Sequence, residues 1–203
     1  MIIDSHVHLS IYDNNAPQEL IPVVFDFLSN ISDKFEIIII EDGSPDKTGE
    51  VADELARQFP YIRVIHHPEN MGYGATLRDG FLNARYNFVM YTDGDNQYDV
   101  REFKPYLRLL SNHDVLSGYA KNKVITLRRR FQSFIYNLMI RILFFVDIRD
   151  IDCAMKIYSR KALESINIKS ASSFIDAEML VRCRNNGFKI VDTGPSYKGV
   201  PDG

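Results

Sequence analysis

Phe88-Val89-Met90-Tyr91-Thr92-Asp93-Gly94-Asp95-Asn96-Gln97 joins a short apolar run to a turn that carries two carboxylates. The run from Phe88 to Tyr91 is short and aromatic enough to predict a buried β-strand. Because a glycine turn interrupts the alternation of side chains along a strand, Asp93 and Asp95 can both face one point. Oxygen ligands at such a point suit Mg²⁺ or Mn²⁺, which proteins usually share with substrate phosphates. A turn that only ends the strand is the alternative.

Around this segment the sequence alternates between strand and helix patterns. The alternation predicts an α/β fold with a mainly parallel central sheet flanked by helices, which places ligands at the carboxyl ends of the strands. No GxxxxGK(S/T) segment is present, which argues against a P-loop nucleotidase. The predicted strands are Met1–Ile11, Ile37–Ile40, Ile62–Ile65, Phe88–Tyr91 and Asp114–Ser117. The predicted helices are Pro17–Leu28, Asp46–Gln58, a helix through Ala84 that the glycine turn Asn70–Ala75 opens, and Val100–Leu110.

A second acidic turn, Glu41-Asp42, follows a predicted strand in the same way as Asp93 and Asp95 do. Because the carboxyl ends of parallel strands share one edge of a sheet, both turns are expected there. Two acidic clusters at one edge fit a nucleotide diphosphate with its metal ion. They do not fit a bare phosphate, which they would repel.

The composition indicates one domain over residues 1–203. Of the 203 residues, 45% are hydrophobic, which is enough for one substantial core. The formal net charge of −3 gives no reason to expect nucleic acid as a partner. The two cysteines, Cys153 and Cys183, form no disulfide framework or metal-binding pattern, and buried reduced thiols in a cytosolic protein are expected. Neither a signal peptide nor a membrane-spanning segment is predicted.

The N-terminal segment Asp4-Ser5-His6-Val7-His8 also resembles the opening strand of metal-dependent amidohydrolases, in which an HxH pair binds metal. A metal-dependent hydrolase that uses His6 and His8 is therefore the remote alternative. Against it, the other histidines form no recognisable second ligand set, and 203 residues are few for a (β/α)8 barrel, which typically has about 250.

Five ordered segments resemble family 2 glycosyltransferases, the later ones their dolichyl-phosphate mannose synthase-like branch. The first three resemble DDGSxDxT, NxGxGxA…G and DxDxQ, and the last two resemble DxxxGx(K/R) and FxxxE…G…P. The matching residues are Glu41–Thr48, Asn70–Ala75 with Gly80, Asp93–Gln97, Asp150–Lys156, and Phe174 and Glu178 followed by Gly187 and Pro195. The sequence departs from the family pattern in two places. Glu41 stands where the family has an aspartate, and Ser10–Asn14 keep only Tyr12 of the family's PxYNE.

The resemblance implies a GT-A fold, the Rossmann-like fold of nucleotide-diphospho-sugar transferases. It also implies metal-dependent, inverting transfer of a sugar from a UDP- or GDP-linked donor to a polyprenyl (dolichyl or undecaprenyl) phosphate. A soluble or polysaccharide acceptor, or a non-catalytic nucleotide-binding relative, remains open as an alternative. The altered Ser10–Asn14 segment supports the non-catalytic interpretation.

The resemblance also implies roles for individual residues. Asp93, Asp95 and Gln97 would hold Mg²⁺ or Mn²⁺, and Asp93 would also belong to the nucleotide site. Asp150 and Lys156 would be catalytic, with Lys156 the first candidate for a cation that holds the acceptor phosphate. The other nucleotide-binding candidates are Tyr12, Glu41, Asp42 and Gly74, and the other acceptor candidates are Lys121, Arg128, Arg129, Arg130 and Glu178.

Residues 124–147 are predicted to form a basic, amphipathic helix. Its polar strip is short, and three arginines precede the apolar run, which is typical of a helix in the plane of a membrane surface. A core helix or a homo-oligomer interface is the alternative; the resemblance favours the cytoplasmic face of a membrane. The predicted apolar face is Phe131, Phe134, Ile135, Leu138, Met139, Ile142, Leu143 and Val146, widened by Ile140, Phe144 and Phe145, and the polar strip is Gln132, Ser133, Asn137 and Arg141.

Overall fold

The centre of the molecule is a mainly parallel β-sheet, as predicted. A computed structural model describes residues 3–8, 16–93, 98–119, 127–170, 172 and 174–194, with backbone alone for 3–8, 16–19 and 129. Within these residues the sheet has seven strands in the order β3-β2-β1-β4-β6-β5-β7, in which β6 is antiparallel to both neighbours and the other pairs are parallel. The strands are β1 Ile3–His8, β2 Ile37–Glu41, β3 Ile62–His66, β4 Phe88–Asp93, β5 Val115–Gly118, β6 Met155–Ser159 and β7 Ile190–Thr193.

Helices connect the strands, and the helical predictions are confirmed with one difference of type. Residues Val100–Ser111 form a 3₁₀ helix, capped by the Asp99 side chain, which accepts a hydrogen bond from the Arg101 N–H. Pro105 lies inside this helix, where it removes a backbone donor. The α-helices are α1 Ala16–Ser29, α2 Thr48–Gln58, α3 Tyr73–Asn83, α4 Leu127–Phe144, α5 Arg160–Ser165 and α6 Ile175–Asn185.

The core lies on both faces of the central strands. The unbroken run Ile37–Ile40 in β2 is buried throughout, as expected for a strand covered on both faces. Cys153 and Cys183 are buried free thiols, as predicted, and burial raises the pKa of Cys183 to about 12.

Most of the described candidate site residues lie at or near one edge of the sheet. This C-terminal edge is the one at which strands β1 to β4 end. There His8 lies opposite Ile40 on one side and Asp93 on the other, and Glu41 lies opposite His66. Because β6 runs in the opposite direction, the segment 150–154 that precedes it reaches the same edge.

This architecture contradicts the hydrolase alternative. The amidohydrolase interpretation requires a closed barrel of parallel strands, whereas the sheet is open and contains the antiparallel strand β6. His6 and His8 belong to β1, which pairs with β2 and β4 in the middle of this sheet.

Candidate active site

The turn after β2 is held rigidly at the C-terminal edge. The Glu41 carboxylate accepts a hydrogen bond from the Ser44 N–H (2.5 Å), and its other oxygen lies 3.3 Å from Nδ1 of His66. Gly43 has φ +67°, and a Cβ there would come within 2.4 Å of the Glu69 carbonyl carbon. Only glycine fits this position, because the turn packs directly against the backbone of the loop after β3.

Asp42 is tied to the same loop. Its carboxylate accepts hydrogen bonds from the N–H groups of Met71 (2.8 Å) and Gly72 (2.9 Å), and one oxygen lies 2.6 Å from Nδ1 of His67. The loop after β3 therefore wraps around a single carboxylate just before α3 begins.

These contacts keep both carboxylates ionised. Burial raises the pKa of Glu41, but the hydrogen bonds from Ser44 and His66 outweigh it and leave the pKa below its ordinary value. Burial also raises the pKa of Asp42, but the hydrogen bonds with His67, Met71 and Gly72 outweigh it and leave that pKa below its ordinary value. Both side chains can therefore act as hydrogen-bond acceptors for a ligand at neutral pH.

Asp93 and Asp150 lie in one neighbourhood, centred on the buried phenol of Tyr98. Burial raises the pKa of Tyr98, and the neighbouring Cys153 and the carboxylates of Asp150 and Asp93 raise it further. Asp93 ends β4, and Asp150 lies in the segment before β6. The structure thus brings together two predicted site residues that are 57 positions apart in the sequence.

The donor chemistry at this point fits a hard divalent cation. Asp93 and the neighbouring Asp150 offer carboxylate oxygens, which Mg²⁺ and Mn²⁺ prefer. Of the described His, Cys, Asp and Glu side chains, no three are grouped closely enough to hold a metal ion. Asp95 and Gln97, the other predicted ligands, lie outside the described residues, as does Tyr12.

Lys156 is placed differently from the prediction. Its side chain is fully buried, and Nζ donates to the Tyr91 hydroxyl oxygen (2.8 Å), the Cys153 carbonyl oxygen (2.6 Å) and Oδ1 of Asp176 (2.7 Å). An ammonium has three protons, and all three are used here. Lys156 therefore holds the segment that carries Asp150, and does not reach the surface where an acceptor phosphate would bind.

Asp176 is the centre of this buried group, and the sequence interpretation missed it. It accepts hydrogen bonds from Lys156, from the Tyr91 hydroxyl and from the Tyr73 hydroxyl (3.0 Å), so it connects β4, β6, α3 and α6. The available signal was a lysine within an apolar strand pattern, which requires a buried partner of opposite charge.

Glu178 is also a structural anchor. Its carboxylate accepts hydrogen bonds from the Ser170 N–H (2.7 Å), the Lys169 N–H (3.1 Å) and Nε of Arg182 (2.7 Å). Burial raises the pKa of Glu178, and these hydrogen bonds outweigh that effect. Glu178 also lines a cavity of 450 Å³ together with Phe144 and Phe174. Gly74, the remaining nucleotide-binding candidate with a described position, is buried in the first turn of α3.

Helix α4 turns its apolar side away from the protein. Asn137 and Ile140 are buried against the protein, whereas Arg128 and Arg130 are exposed. The predicted apolar face is therefore corrected at two positions: Ile140 packs inward, and Val146 is buried beyond the end of the helix. The exposed large apolar side chains are Leu127, Phe131, Phe134, Ile135, Leu138, Met139, Ile142, Leu143 and, just after the helix, Phe145.

Two further acceptor candidates have no described side chain: Lys121 lies outside the described residues, and only the backbone of Arg129 is described. Throughout the described part of the chain, no helix has the length and hydropathy needed to cross a bilayer.

Comparison with known sequences identifies longer relatives, of which this chain spans only a part. Glycosyltransferase AglD of Haloferax volcanii is 32% identical over 169 residues, 79% of this chain and 27% of that protein. Dolichyl-phosphate beta-glucosyltransferase ALG5A of Trichomonas vaginalis is 32% identical over 167 residues, 77% of this chain and 52% of that protein. Polyprenol monophosphomannose synthase of Mycolicibacterium smegmatis is 29% identical over 191 residues, 86% of this chain and 71% of that protein.

Solved structures show the same fold at low sequence identity. The mannosyltransferase PcManGT from Pyrobaculum calidifontis, in complex with GDP-Man and Mn²⁺, superposes with a TM-score of 0.72 at 14% identity, over 98% of this chain and 58% of that one. Glucosyl-3-phosphoglycerate synthase from Mycobacterium tuberculosis, in complex with UDP, gives a TM-score of 0.70 at 16% identity, over 98% of this chain and 72% of that one. Residues 9–166 match Glycosyl transferase family 2, so the chain belongs to that family and has its GT-A-like fold.

Proposed function

We propose that this chain is a metal-dependent, inverting glycosyltransferase that moves a sugar from a UDP- or GDP-linked donor to a polyprenyl phosphate. The observation that carries the proposal is the meeting of the Glu41-Asp42 turn, Asp93 and the Asp150 segment at one edge of the sheet. The names of the relatives agree with it, since two are polyprenyl- or dolichyl-phosphate enzymes and the structural neighbours bind GDP-Man or UDP.

The donor would lie across the C-terminal edge. Two strand spacings separate β2 from β4, which is about 10 Å, the span between a nucleoside and its diphosphate. Asp42 and Glu41, with Tyr12, would accept hydrogen bonds from the base and the ribose of the donor. The buried Gly74, which has no side chain, would let the backbone of α3 approach the donor. Asp93, Asp95 and Gln97 would hold the cation, which offsets negative charge on the leaving nucleoside diphosphate.

A phosphate acceptor is compatible with the buried position of Lys156, because it needs no catalytic base from the protein. A phosphate oxygen already carries negative charge at neutral pH and needs no general base to attack the anomeric carbon, from the side opposite the leaving diphosphate. With Lys156 buried, the cations for the acceptor would be Lys121 and Arg128 to Arg130, and Lys156 would keep Asp150 in place. If the acceptor were a hydroxyl, Asp150 would be the base.

The exposed apolar side of α4 supports a membrane-bound acceptor. Arg128 and Arg130 are exposed at the start of the helix, next to the exposed Phe131 and Phe134. This arrangement suits a helix that lies in the membrane surface, with arginines at headgroup level. The proposed location is the cytoplasmic face of a membrane, where nucleotide sugars are available; a homo-oligomer is the alternative use of this surface.

Ligand-induced stabilisation tests the donor half of this proposal. UDP and GDP should raise the melting temperature of the protein in the presence of Mn²⁺ or Mg²⁺ and much less in the presence of EDTA, because only the metal complex offsets the acidic edge. A protein that no nucleoside diphosphate stabilises with either metal would contradict it.

A transfer assay tests the acceptor half. Nucleotide sugars are incubated with polyprenyl phosphate in vesicles, and the lipid fraction is analysed for the linked sugar. Donor hydrolysis without a lipid product would point to a soluble or polysaccharide acceptor. Binding without hydrolysis or transfer would point to a non-catalytic relative.

A further inference from the structure

His67 bridges two carboxylates on different elements. Its Nδ1 lies 2.6 Å from Oδ1 of Asp42, after β2, and its Nε2 lies 3.2 Å from Oδ2 of Asp79, on α3. The His67 side chain is only 5% exposed, whereas that of Asp79 is 30% exposed. The ring is therefore enclosed between a buried acid and a partly solvated one.

This arrangement fixes the ring in one orientation. Each ring nitrogen lies within hydrogen-bond distance of a carboxylate oxygen on a different element, so the ring cannot rotate without losing a contact. A hydrogen bond to an ionised carboxylate is shorter and stronger than one between neutral groups. The backbone also holds the residue, because the His67 N–H donates to the Glu41 carbonyl oxygen at 2.8 Å. Arg78 is the other charge next to Asp79, with Nε at 3.5 Å.

Within the described part of the chain, the hydrogen bonds of Asp42 leave one acceptor position on its carboxylate. A carboxylate has about four acceptor positions. Those on Oδ1 take the Met71 N–H and the His67 ring, and one on Oδ2 takes the Gly72 N–H. Two of these contacts come from backbone groups of the loop that starts at His67, and the third comes from the His67 ring. The ring is therefore the side chain that, together with the loop, holds the carboxylate in its orientation at the C-terminal edge.

We propose that His67, held by Asp79, is a positioning residue that orients Asp42 for recognition of the nucleoside of the donor. The inference rests on the proposed function, since Asp42 is taken to contact that nucleoside. It adds two residues, His67 and Asp79, that neither the sequence motifs nor the relatives assign. The chemistry recognised is that of a hydrogen-bond donor on the nucleoside, for which Asp42 keeps one acceptor position.

The test measures the affinity of UDP and GDP by calorimetry in the presence of Mn²⁺. His67→Gln should weaken binding of the preferred nucleotide about tenfold, the loss expected when a charge-assisted hydrogen bond no longer holds the recognising group. In steady-state assays the KM for the donor should rise while kcat changes little, as for an interaction made equally in the ground and transition states. His113→Gln is the matched control, because His113 bonds the Leu109 carbonyl oxygen near the start of β5, at the opposite edge of the sheet.

A double-mutant cycle separates positioning from a general structural effect. In an Asp42→Asn background, His67→Gln should cost little further affinity, because its effect passes through Asp42. Asp79→Ala keeps the side chains of Asp42 and His67 but removes the outer anchor of the ring, together with the exposed contact to Arg78, and should weaken binding about threefold. This variant keeps the test valid if His67→Gln does not fold.

Three outcomes would overturn the inference. The first is that wild type, His67→Gln and Asp79→Ala bind the nucleotide with equal affinity. The second is that the losses of His67→Gln and Asp42→Asn are fully additive. The third is that His113→Gln loses as much affinity as His67→Gln. If wild-type protein binds no nucleoside diphosphate at all, the proposed function fails and this inference falls with it. If wild type binds and the variants match it, only the role of His67 is wrong.

Discussion

The acidic residues of the C-terminal edge are oriented by the protein before any ligand arrives. Asp42 accepts hydrogen bonds from two backbone N–H groups and lies against His67, and Glu41 accepts one from Ser44. A group that is already oriented loses little conformational freedom on binding, which favours affinity. The cost is a site whose geometry depends on residues that never touch the ligand.

Asp93→Asn is expected to abolish transfer while leaving the fold intact, and Asp95→Asn should behave in the same way. An amide keeps the shape of the side chain but loses the charge that the metal requires, so kcat/KM should fall about 100-fold or more. The measurement is a transfer assay at saturating Mn²⁺, with Asp114→Asn as control. Asp114 accepts the Lys189 N–H at the opposite edge of the sheet. Near-normal turnover of Asp93→Asn would remove Asp93 from the metal site.

His66 should make part of the stability dependent on pH. Hydrogen bonding to Asp53 raises the pKa of His66 above its ordinary 6.5, against the effect of partial burial, and Glu41 raises it further. A raised folded-state pKa means that the contribution is complete below pH 6.5 and disappears as the pH rises through the folded-state value. Because the ring is 42% exposed, the effect should stay below about 1 kcal/mol.

The measurement is urea unfolding of wild type and His66→Gln at pH values on both sides of 6.5. The difference in the free energy of unfolding should be largest at the acidic end and shrink towards alkaline pH. A difference that grows with pH would show that the ring stabilises the fold in its neutral form.

At the scale of elements, α4 is attached through polar contacts. Asn137 donates to the Ser133 carbonyl oxygen (2.8 Å) and accepts the Ile151 N–H (2.9 Å), so it joins the helix to the segment that carries Asp150. Ile140 is the main apolar contact in the middle of the helix. The buried side of this helix is therefore narrow, and the position of α4 is coupled to that of Asp150.

The buried group around Lys156 should contribute strongly to stability. Lys156→Met leaves Asp176 buried without its cation and should lower the free energy of unfolding by about 3–5 kcal/mol. Lys104→Met, at an exposed position of the 3₁₀ helix, is the control and should change it by less than about 0.5 kcal/mol. The free energies come from urea unfolding. If Lys156→Met kept wild-type stability and lost only acceptor affinity, the lysine would bind the acceptor directly after all.

The sequence predicts those elements whose signal is local. Ile37–Ile40 shows a buried strand by its β-branched run, and the two acidic turns mark strand ends that share an edge. The apolar pattern around Lys156 indicates a buried lysine with an anionic partner, but the partner could not be predicted, because Asp176 is 20 residues away on a helix. The same holds for His67, whose two carboxylates lie 25 and 12 residues away.

Helix α4 shows a different limit of prediction from the sequence. Its periodicity reveals an apolar side and a polar strip, and the ordinary expectation is that the apolar side faces the core. The structure has the reverse: the polar Asn137 faces the protein and accepts the Ile151 N–H, while most of the apolar side chains are exposed. Amphipathic periodicity defines two sides of a helix but does not say which one the protein covers.

At the scale of the whole molecule, charge and apolar surface are concentrated in one place. The chain is acidic overall, with a formal net charge of −3, yet Arg128 to Arg130 are consecutive. The exposed apolar side chains of α4 follow them directly. An acidic protein has no general attraction to anionic membranes, so we expect any such binding to involve this surface.

The proposal of a lipid acceptor predicts that the protein sediments with anionic vesicles through α4. Replacing Phe134, Leu138 and Ile142, which are 62%, 42% and 61% exposed, by Ser should release the protein even at low salt. Replacing the three arginines by Gln should matter mainly at low salt, because each contributes about 1 kcal/mol of screened attraction. Leu82→Ser is the control, since Leu82 is 73% exposed on α3.

The two sets of substitutions separate the two uses of this surface. A membrane surface requires both the arginines and the apolar side chains, and the salt dependence should follow the arginines alone. A second copy of the chain would need only the apolar side chains, and the serine variant would then change the oligomeric state measured by light scattering. If wild-type protein sediments with no vesicles and is oligomeric, the surface is an interface between copies. The acceptor would then be a soluble sugar or a protein, because nothing else in the described part of the chain would bring a lipid phosphate to Asp93.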